Sequence, residues 1–357
     1  MYHLNKLKKK QQMKSSKSIF IYFLPLALLS SCGSETTKEV VEEKVAEPSE
    51  LWQKAKALFG ELPTVALNPE NSITDEKVAL GKTLYFDKRL SKNNTISCNS
   101  CHNLETHGVD NLSFSPGNDG GLGGRNSPTV LNAALHIAQF WDGRAKDVEE
   151  QAGGPILNPI EMAMPSEKVV IDKLSKIEEY KTLFAKAFPE EKSPITYVNI
   201  QKAIGAFERK LIVPSNFDEY LAGNEDALSQ QEKEGLETFT TVGCITCHSG
   251  NLLGGQLFQK FGLTSNYWEH TKSKKIDEGK FEVTKNEADK YVFKTPSLRN
   301  IEKTYPYFHD GSVEKLEDAV KIMAKTQLNK ELTAKETTDM VAFLKTLTSE
   351  VPKEYKQ

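Results

Sequence analysis

Residues 97–104 read SCNSCHNL, and residues 243–250 read GCITCHSG. Each holds the pattern Cys-x-x-Cys-His: Cys98, Cys101 and His102 in the first, Cys244, Cys247 and His248 in the second. The chain has 5 cysteines among 357 residues, and the fifth is Cys32 near the N-terminus. Outside the two pairs no partner remains for Cys32, so a disulfide framework is not indicated unless the pairs themselves oxidise. A formal charge of −3 gives no polyelectrolyte character, so nucleic acid is not an expected partner. The length accommodates two domains, each with its own core.

Cys-x-x-Cys-His is an attachment signal for c-type haem. The two thiols bond to the vinyl groups of the porphyrin, and the adjoining imidazole is placed to ligate iron. Two other uses of paired cysteines fit less well. A thioredoxin-like redox pair belongs in a βαβ context, which the sequence lacks. A zinc site would have to draw all four cysteines together, yet each pair carries its own histidine in its own half of the chain. The pattern therefore predicts two covalently bound c-type haems, with His102 and His248 as proximal ligands.

Reading outward from the motifs, the chain repeats itself. Residues 75–86, DEKVALGKTLYF, have Val78, Leu80, Leu84 and Tyr85 available for a buried helical face. The stretch SQQEKEGLETFTTVGCITCH begins a polar helix at Ser229, and Gly81 and Gly235 hold related places before the two motifs. YVNIQKAIGAFERKLI places Val198, Ala203, Ile204, Phe207 and Leu211 in helical register. AKETTDMVAFLKTL places Met340, Phe343, Leu344 and Leu347 on one stripe. LNAALHIAQF also looks helical. Alternating apolar and polar runs are scarce, so the expected fold is mainly α, with two tandem cytochrome c-like domains. The expected boundary lies near Pro214 to Phe217, giving domains 51–215 and 216–357.

The N-terminus reads as an export signal. Lys6, Lys8, Lys9, Lys10, Lys14 and Lys17 precede the apolar run IFIYFLPLALL, residues 19–29. That run is too short to span a bilayer, which takes ~20 residues, and suits a signal-peptide core. LSSC, Leu29 to Cys32, resembles a bacterial lipobox. On that likeness residues 1–31 are a lipoprotein signal peptide, Cys32 carries the lipid, and the acidic residues 32–50 are a flexible tether. The expected location is the periplasmic side of the cell envelope, lipid-anchored to a membrane.

The face of each iron opposite its proximal histidine decides function. A methionine there favours electron transfer, and an open face admits a small molecule. The candidates are His107, His136, His270 and His309 with Met162, Met164, Met323 and Met340. Met323 lies downstream of the second motif, where a cytochrome c domain brings in its sixth ligand; a core methionine is the alternative. Met162 and Met164 lie downstream of the first motif and are open to the same two readings.

ISCNSCHNLETHGVD, RNSPTVLNAALHIAQFWDGRAKDVEEQAGGPI, GCITCHSG, YVFKTPSLRN and YPYFHDGSVEKLEDAV together resemble the bacterial di-haem cytochrome c peroxidases, over residues 60 to 350 or so. The resemblance implies reduction of hydrogen peroxide to water, with electrons from a small c-type cytochrome or a cupredoxin. It implies that the haem in domain 51–215 is peroxidatic and the haem in domain 216–357 transfers electrons, with Met323 as its sixth ligand. Glu161 matches the distal acid–base, Gln151 the neighbouring amide, and Trp141 the aromatic between the haems. Asn126, Thr304 and Pro306 match a calcium site, and Arg299 and His309 match residues near a propionate of the second haem. Family members are often homodimers.

One position departs from the pattern. Many members carry a histidine a few residues before RNSPTV, which closes the first haem in the oxidised state; here ungapped alignment gives Asn118. Amide is a poor iron ligand, so the expectation is a first haem open to solvent without prior reduction. The glycine-rich run 117–124 is expected to be mobile. Two competing readings remain. A non-enzymatic di-haem electron carrier would block both irons. The di-haem relatives that oxidise tryptophans of a partner protein use Tyr where this chain has Met323, which argues against that activity.

Overall fold

The computed structural model describes residues 47–357. The expected signal peptide, Cys32 and the tether up to residue 46 lie outside the described residues.

The first half contains α1 (Glu50–Phe59), α2 (Asp75–Phe86), α3 (Cys98–Cys101), α4 (Val148–Leu157), α5 (Glu167–Leu174), α6 (Glu178–Ala187) and α7 (Tyr197–Glu208). The second contains α8 (Asn216–Leu221), α9 (Gln230–Val242), α10 (Tyr267–Thr271), α11 (Phe281–Thr284), α12 (Leu316–Leu328) and α13 (Ala334–Lys345). Among the described residues the sheet is one antiparallel pair, β1 (Phe258–Lys260) and β2 (Val292–Lys294), with Phe258 opposite Lys294. The fold is mainly α, as the periodicities require.

The repeat seen in the sequence is a repeat in packing. α2 crosses α7, and α9 crosses α13. At the first crossing a Cβ on Gly81 would lie 1.9 Å from the Ala203 carbonyl oxygen and 2.9 Å from Phe207 Cβ. At the second, a Cβ on Gly235 would lie 1.9 Å from the Asp339 carbonyl oxygen and 2.9 Å from Phe343 Cβ. Each glycine lets a helix backbone touch its partner at the same pair of positions, four residues apart. One turn beyond each glycine an aromatic ring, Tyr85 or Phe239, points at the histidine of the following motif: Tyr85 Oη donates to the His102 carbonyl (2.5 Å), and the Phe239 ring lies 6.4 Å from that of His248.

Start signals act as read. Ser229 caps α9, with its hydroxyl accepting from Glu232 N while Glu232 accepts from Ser229 N (2.7 Å). Thr333 and Glu336 form the same box on α13. α8 starts beside Pro214, where the sequence reading sets its boundary, and is boxed by Ser215 and Asp218.

The ends of the described segment cross between halves. Ala55 and Phe59 of α1 join the core of the second half, with Phe217, Tyr220 and Phe343. The Trp52 indole donates to the Tyr220 carbonyl (2.7 Å). At the other end Val351 and Tyr355 pack on Tyr85 and Phe207 of the first half. Packing thus puts the first helix of 51–215 with the second half.

Two local expectations change. LNAALHIAQF is not a helix beyond the single turn Ala133–Leu135. Its polar groups are spent elsewhere: Asn132, with φ 60°, takes the Val213 amide on Oδ1 (3.1 Å) and donates its own N–H to Leu211 O (2.8 Å). The glycine-rich run 117–124 is a pinned hairpin. Gly117 N donates to Gly121 O (2.7 Å), Gly123 N to Ser115 O (2.9 Å), and Gly117 abuts the Ile160 carbonyl so closely that a Cβ would sit 1.6 Å from it.

Candidate active site

Each motif presents its histidine in the same way. His102 Nδ1 donates to Pro128 O (2.9 Å), and His248 Nδ1 donates to Leu253 O (2.9 Å). A carbonyl only accepts, so in both rings Nδ1 bears the proton and Nε2 keeps its lone pair for a metal. The turn that returns Leu253 O to His248 depends on Gly254: φ is +134°, and a Cβ would meet Pro296 O at 2.1 Å. Burial disfavours thiolates at both motifs, raising Cys101 and Cys244 to about 11 each. Such thiols suit thioether bonds better than thiolate coordination. The two motifs stand at separate sites, so the four cysteines do not form a common zinc cage.

The second site is a cavity of about 270 Å³ lined by Cys244, Cys247 and His248. Met340 reaches it from α13, within the core that includes Phe239, the ring beside His248. Met323 reaches it from α12 and belongs to a different cluster, with Phe261, Tyr267, Phe293 and Trp141. Of the two methionines, Met340 shares a core with Phe239, the ring beside His248, and Met323 packs instead with the aromatic cluster. His309 also lines the cavity; it is 2 % exposed, its ring stacks on Phe293 at 4.4 Å, and its Nε2 is buried without a partner. Arg299 is expected near a propionate from the resemblance, and its neighbours Ser297 and Leu298 line the cavity. Its guanidinium is taken by Asp218 (2.8 Å to each oxygen) and Asn251 O (2.6 Å), and it is not part of the cavity wall. A largely apolar cavity that also holds two thiols, an imidazole with a free Nε2 and a buried orphan nitrogen fits a porphyrin.

At the first motif Cys98 packs with Tyr85, Leu104 and Phe207, while Cys101 bonds Ser115 and feels the charges of Asp110 and Glu161. Glu161 follows α4, whose chain folds back so that Glu161 N donates to Asn158 O (3.1 Å) and Met162 N to Pro155 O (3.1 Å). Asn158 Nδ2 donates to Glu161 Oε1 (3.0 Å), leaving Oε2 free. Burial raises the Glu161 pKa above 4.5, against the opposing pull of Arg144 and Asn158. Gln151 lies on α4 one turn before Gly154 and Pro155, and so on the face that carries Asn158. Arg144 stacks on Phe140 (3.5 Å) and pairs with Asp142 (2.8 Å). Sequence spacing alone does not single out Arg144 or Asn158, although both belong to the stretch around the quoted string RNSPTVLNAALHIAQFWDGRAKDVEEQAGGPI, which contains Arg144.

Asn118 is not free to act as a ligand. It is 8 % exposed, accepts Asn93 N (2.9 Å) and donates to Asp119 (2.9 Å), and its own N–H holds Glu161 O (2.7 Å). Neither nearby histidine replaces the missing one. His107 faces the C-terminal segment, near Ser349, Glu350 and Lys356. His136 lines the second cavity. Met162 and Met164, open as ligands from sequence, are core residues with Leu80, Ile156 and Leu174.

One segment touches both sites. Pro128 O holds His102, while Asn126, Ser127, Pro128 and Thr129 line the second cavity. The Trp141 indole donates to Asn126 O (2.9 Å) and lines the same cavity. Arg125 fixes this segment through Asp142 (2.5 Å) and Asp277 (2.7 Å). Asn126 donates through Nδ2 to Leu112 O (2.9 Å), so its Oδ1 is turned out as an acceptor, and Thr304 and Pro306 share the cavity wall with it.

Residues 75–226 match the family model of di-haem cytochrome c peroxidase, and residues 232–348 match that of cytochrome c. Cytochrome c551 peroxidase of Nitrosomonas europaea is 48% identical over 294 residues, covering 81% of this chain and 84% of that protein. Cytochrome c551 peroxidase of Pseudomonas aeruginosa is 44% identical over 311 residues, covering 87% and 89%. Among solved structures, a MauG-like protein associated with microbial copper homeostasis matches with a TM-score of 0.75 at 30% identity, covering 84% of this chain and 97% of that one. With two haem-attachment motifs on a duplicated helical module and relatives this similar over most of their length, the chain belongs to the di-haem cytochrome c peroxidase family.

Proposed function

We propose that the chain is a peroxidase that reduces hydrogen peroxide to two waters (H2O2 + 2H+ + 2e− → 2H2O) beside His102, with electrons entering beside His248. The observation that carries this reading is the contrast between the two sites: a methionine sulfur shares the second cavity with His248, whereas the first motif has a buried carboxyl of raised pKa and an asparagine already engaged. When bound, the haems supply the iron at which the O–O bond breaks and the store of electrons that break it.

The chain's residues do the rest. Glu161 Oε2 would take the proton from one peroxide oxygen and deliver it to the other, which leaves as water. A raised pKa brings its proton affinity closer to neutrality, where one group serves as base and then as acid. The Asn158 amide keeps Oε1 occupied, so the proton stays on Oε2. Gln151 orients the bound peroxide by hydrogen bonding. Trp141, tied to the segment that holds His102 and bordering the second cavity, carries electrons between sites. With a haem bound, Met323 would supply a sulfur ligand that raises the potential of the second iron, and His309 Nε2 would hold a propionate.

Asn126, Thr304 and Pro306 would hold calcium through side-chain and main-chain oxygens and so stiffen that segment; oxygen donors suit calcium. The electron donor is a small c-type cytochrome or copper protein, and Cys32 lipidation anchors the chain on the periplasmic side of the envelope. Steady-state peroxide consumption with a reduced small cytochrome tests the activity: turnover supports it, and a wild-type protein with two haems and no turnover indicates an electron carrier instead.

A further inference from the structure

Lys294 ends β2 and is 6 % exposed. Its backbone N–H donates to Trp141 O (2.8 Å), and its Nζ donates to His136 Nδ1 (2.8 Å). Both side chains border the second cavity. Because Nδ1 of His136 accepts, the ring proton of the neutral imidazole sits on Nε2. That Nε2 is buried and has no partner. Gly255 packs beside the ring, where a Cβ would lie 2.6 Å from Cδ2, so only glycine leaves room for the imidazole here. The ammonium has three donors, and His136 uses one of them.

A buried cation whose only side-chain partner is neutral is costly. Burial lowers the Lys294 pKa to about 8 and keeps His136 uncharged. An anion beside Nζ removes this cost, and a carboxylate oxygen can accept one of the two ammonium donors that His136 leaves over. The ligand in this cavity carries carboxylates. Cys244 and Cys247 take the vinyl positions of the porphyrin, and its two propionates project from the remaining pyrroles.

We propose that Lys294, oriented by His136, is the receptor for a propionate of the second haem and holds that edge of the ring toward Trp141. The proposal rests on the reading that this cavity holds a haem. Both are positioning residues: Lys294 touches the carboxylate, not the iron, His136 holds Lys294 in place, and together they orient the ring and place one positive charge near it. That charge disfavours the oxidised iron and so raises the potential.

The test uses the two-haem protein, with haem counted per chain, the midpoint potential of the second haem measured spectroelectrochemically, and its propionate bending band followed by resonance Raman. Lys294→Met is expected to keep two haems, lower the potential and shift the band; Lys294→Arg is expected to return both toward wild type. Two haems with wild-type potential and band in Lys294→Met would overturn the receptor alone. One haem in the wild type would overturn both the receptor and the reading beneath it. Should Lys294→Met lose a haem, the band of His136→Gln decides: shifted supports the receptor, unshifted overturns it.

Discussion

Replacing Glu161 with Gln separates proton transfer from architecture. The side chain keeps its shape, and the Asn158 amide at 3.0 Å still finds an acceptor in the Gln carbonyl oxygen. The bond from Asn118 N to the residue 161 carbonyl (2.7 Å) is untouched. What disappears is the proton carried on Oε2. General acid–base catalysis contributes ~10²- to 10⁴-fold, or about 3–5 kcal/mol at ~1.4 kcal/mol per tenfold. The loss should fall on kcat, with KM for peroxide little changed. Stability should move the other way. Burial raises the folded pKa, so this group's stabilising effect is complete below its ordinary pKa of 4.5 and is lost as pH rises through the folded value. At neutral pH the buried carboxylate is a cost, and Gln removes it. Glu161→Gln should therefore be at least as stable as wild type at pH 7, an advantage that vanishes in acid. Steady-state assays and guanidinium titrations measure both. A kcat within about threefold of wild type would refute the role of Glu161, and a large loss of stability would refute the account of its environment.

Three further outcomes follow from the packing and the second site. Gly81→Ala and Gly235→Ala each force a Cβ to 1.9 Å from a carbonyl oxygen, and each should destabilise its helix pair by about 2 kcal/mol in chemical denaturation, despite the better helix propensity of Ala; a neutral effect would mean the crossings are looser than described. Met323→Leu should abolish the sulfur-to-iron charge-transfer band and lower the potential of the second haem, whereas an unchanged band would assign the sixth ligand to another residue. Chelation of calcium, or Asn126→Ala, should slow electron delivery between the sites, and in wild type added calcium should restore it better than magnesium, which demands a tighter octahedral shell; indifference to chelator would remove calcium from the account.

Much of this was legible in the residues because it is local. α2, α7, α9 and α13 show their buried stripes in sequence, and Gly81 and Gly235 stand out in two otherwise similar helices. The haem motifs carry their chemistry in five consecutive residues. What could not be read depends on distant partners. LNAALHIAQF has helical spacing, but Asn132 bonds to Leu211 and Val213, and those backbone groups win over the local pattern. The glycines of 117–124 suggest freedom, yet Gly117 is the residue that lets the hairpin press against Ile160. α1 reads as the start of the first half and packs on the second, because Trp52 and Phe59 find their partners at Tyr220 and Phe217. The ion pair of Arg299 with Asp218 joins residues 81 positions apart, which no local pattern shows. Lys294, in a quoted string, gave no signal of its own; only burial beside His136 marks it.

The account turns on how the two irons differ before any electron arrives, and paramagnetic resonance of the fully oxidised protein, with and without cyanide, measures that directly. The prediction is one low-spin histidine–methionine centre and one centre that is water-bound or open and takes up a single cyanide per chain without prior reduction. A low-spin bis-histidine signal from the first haem, with cyanide bound only after reduction, would contradict it.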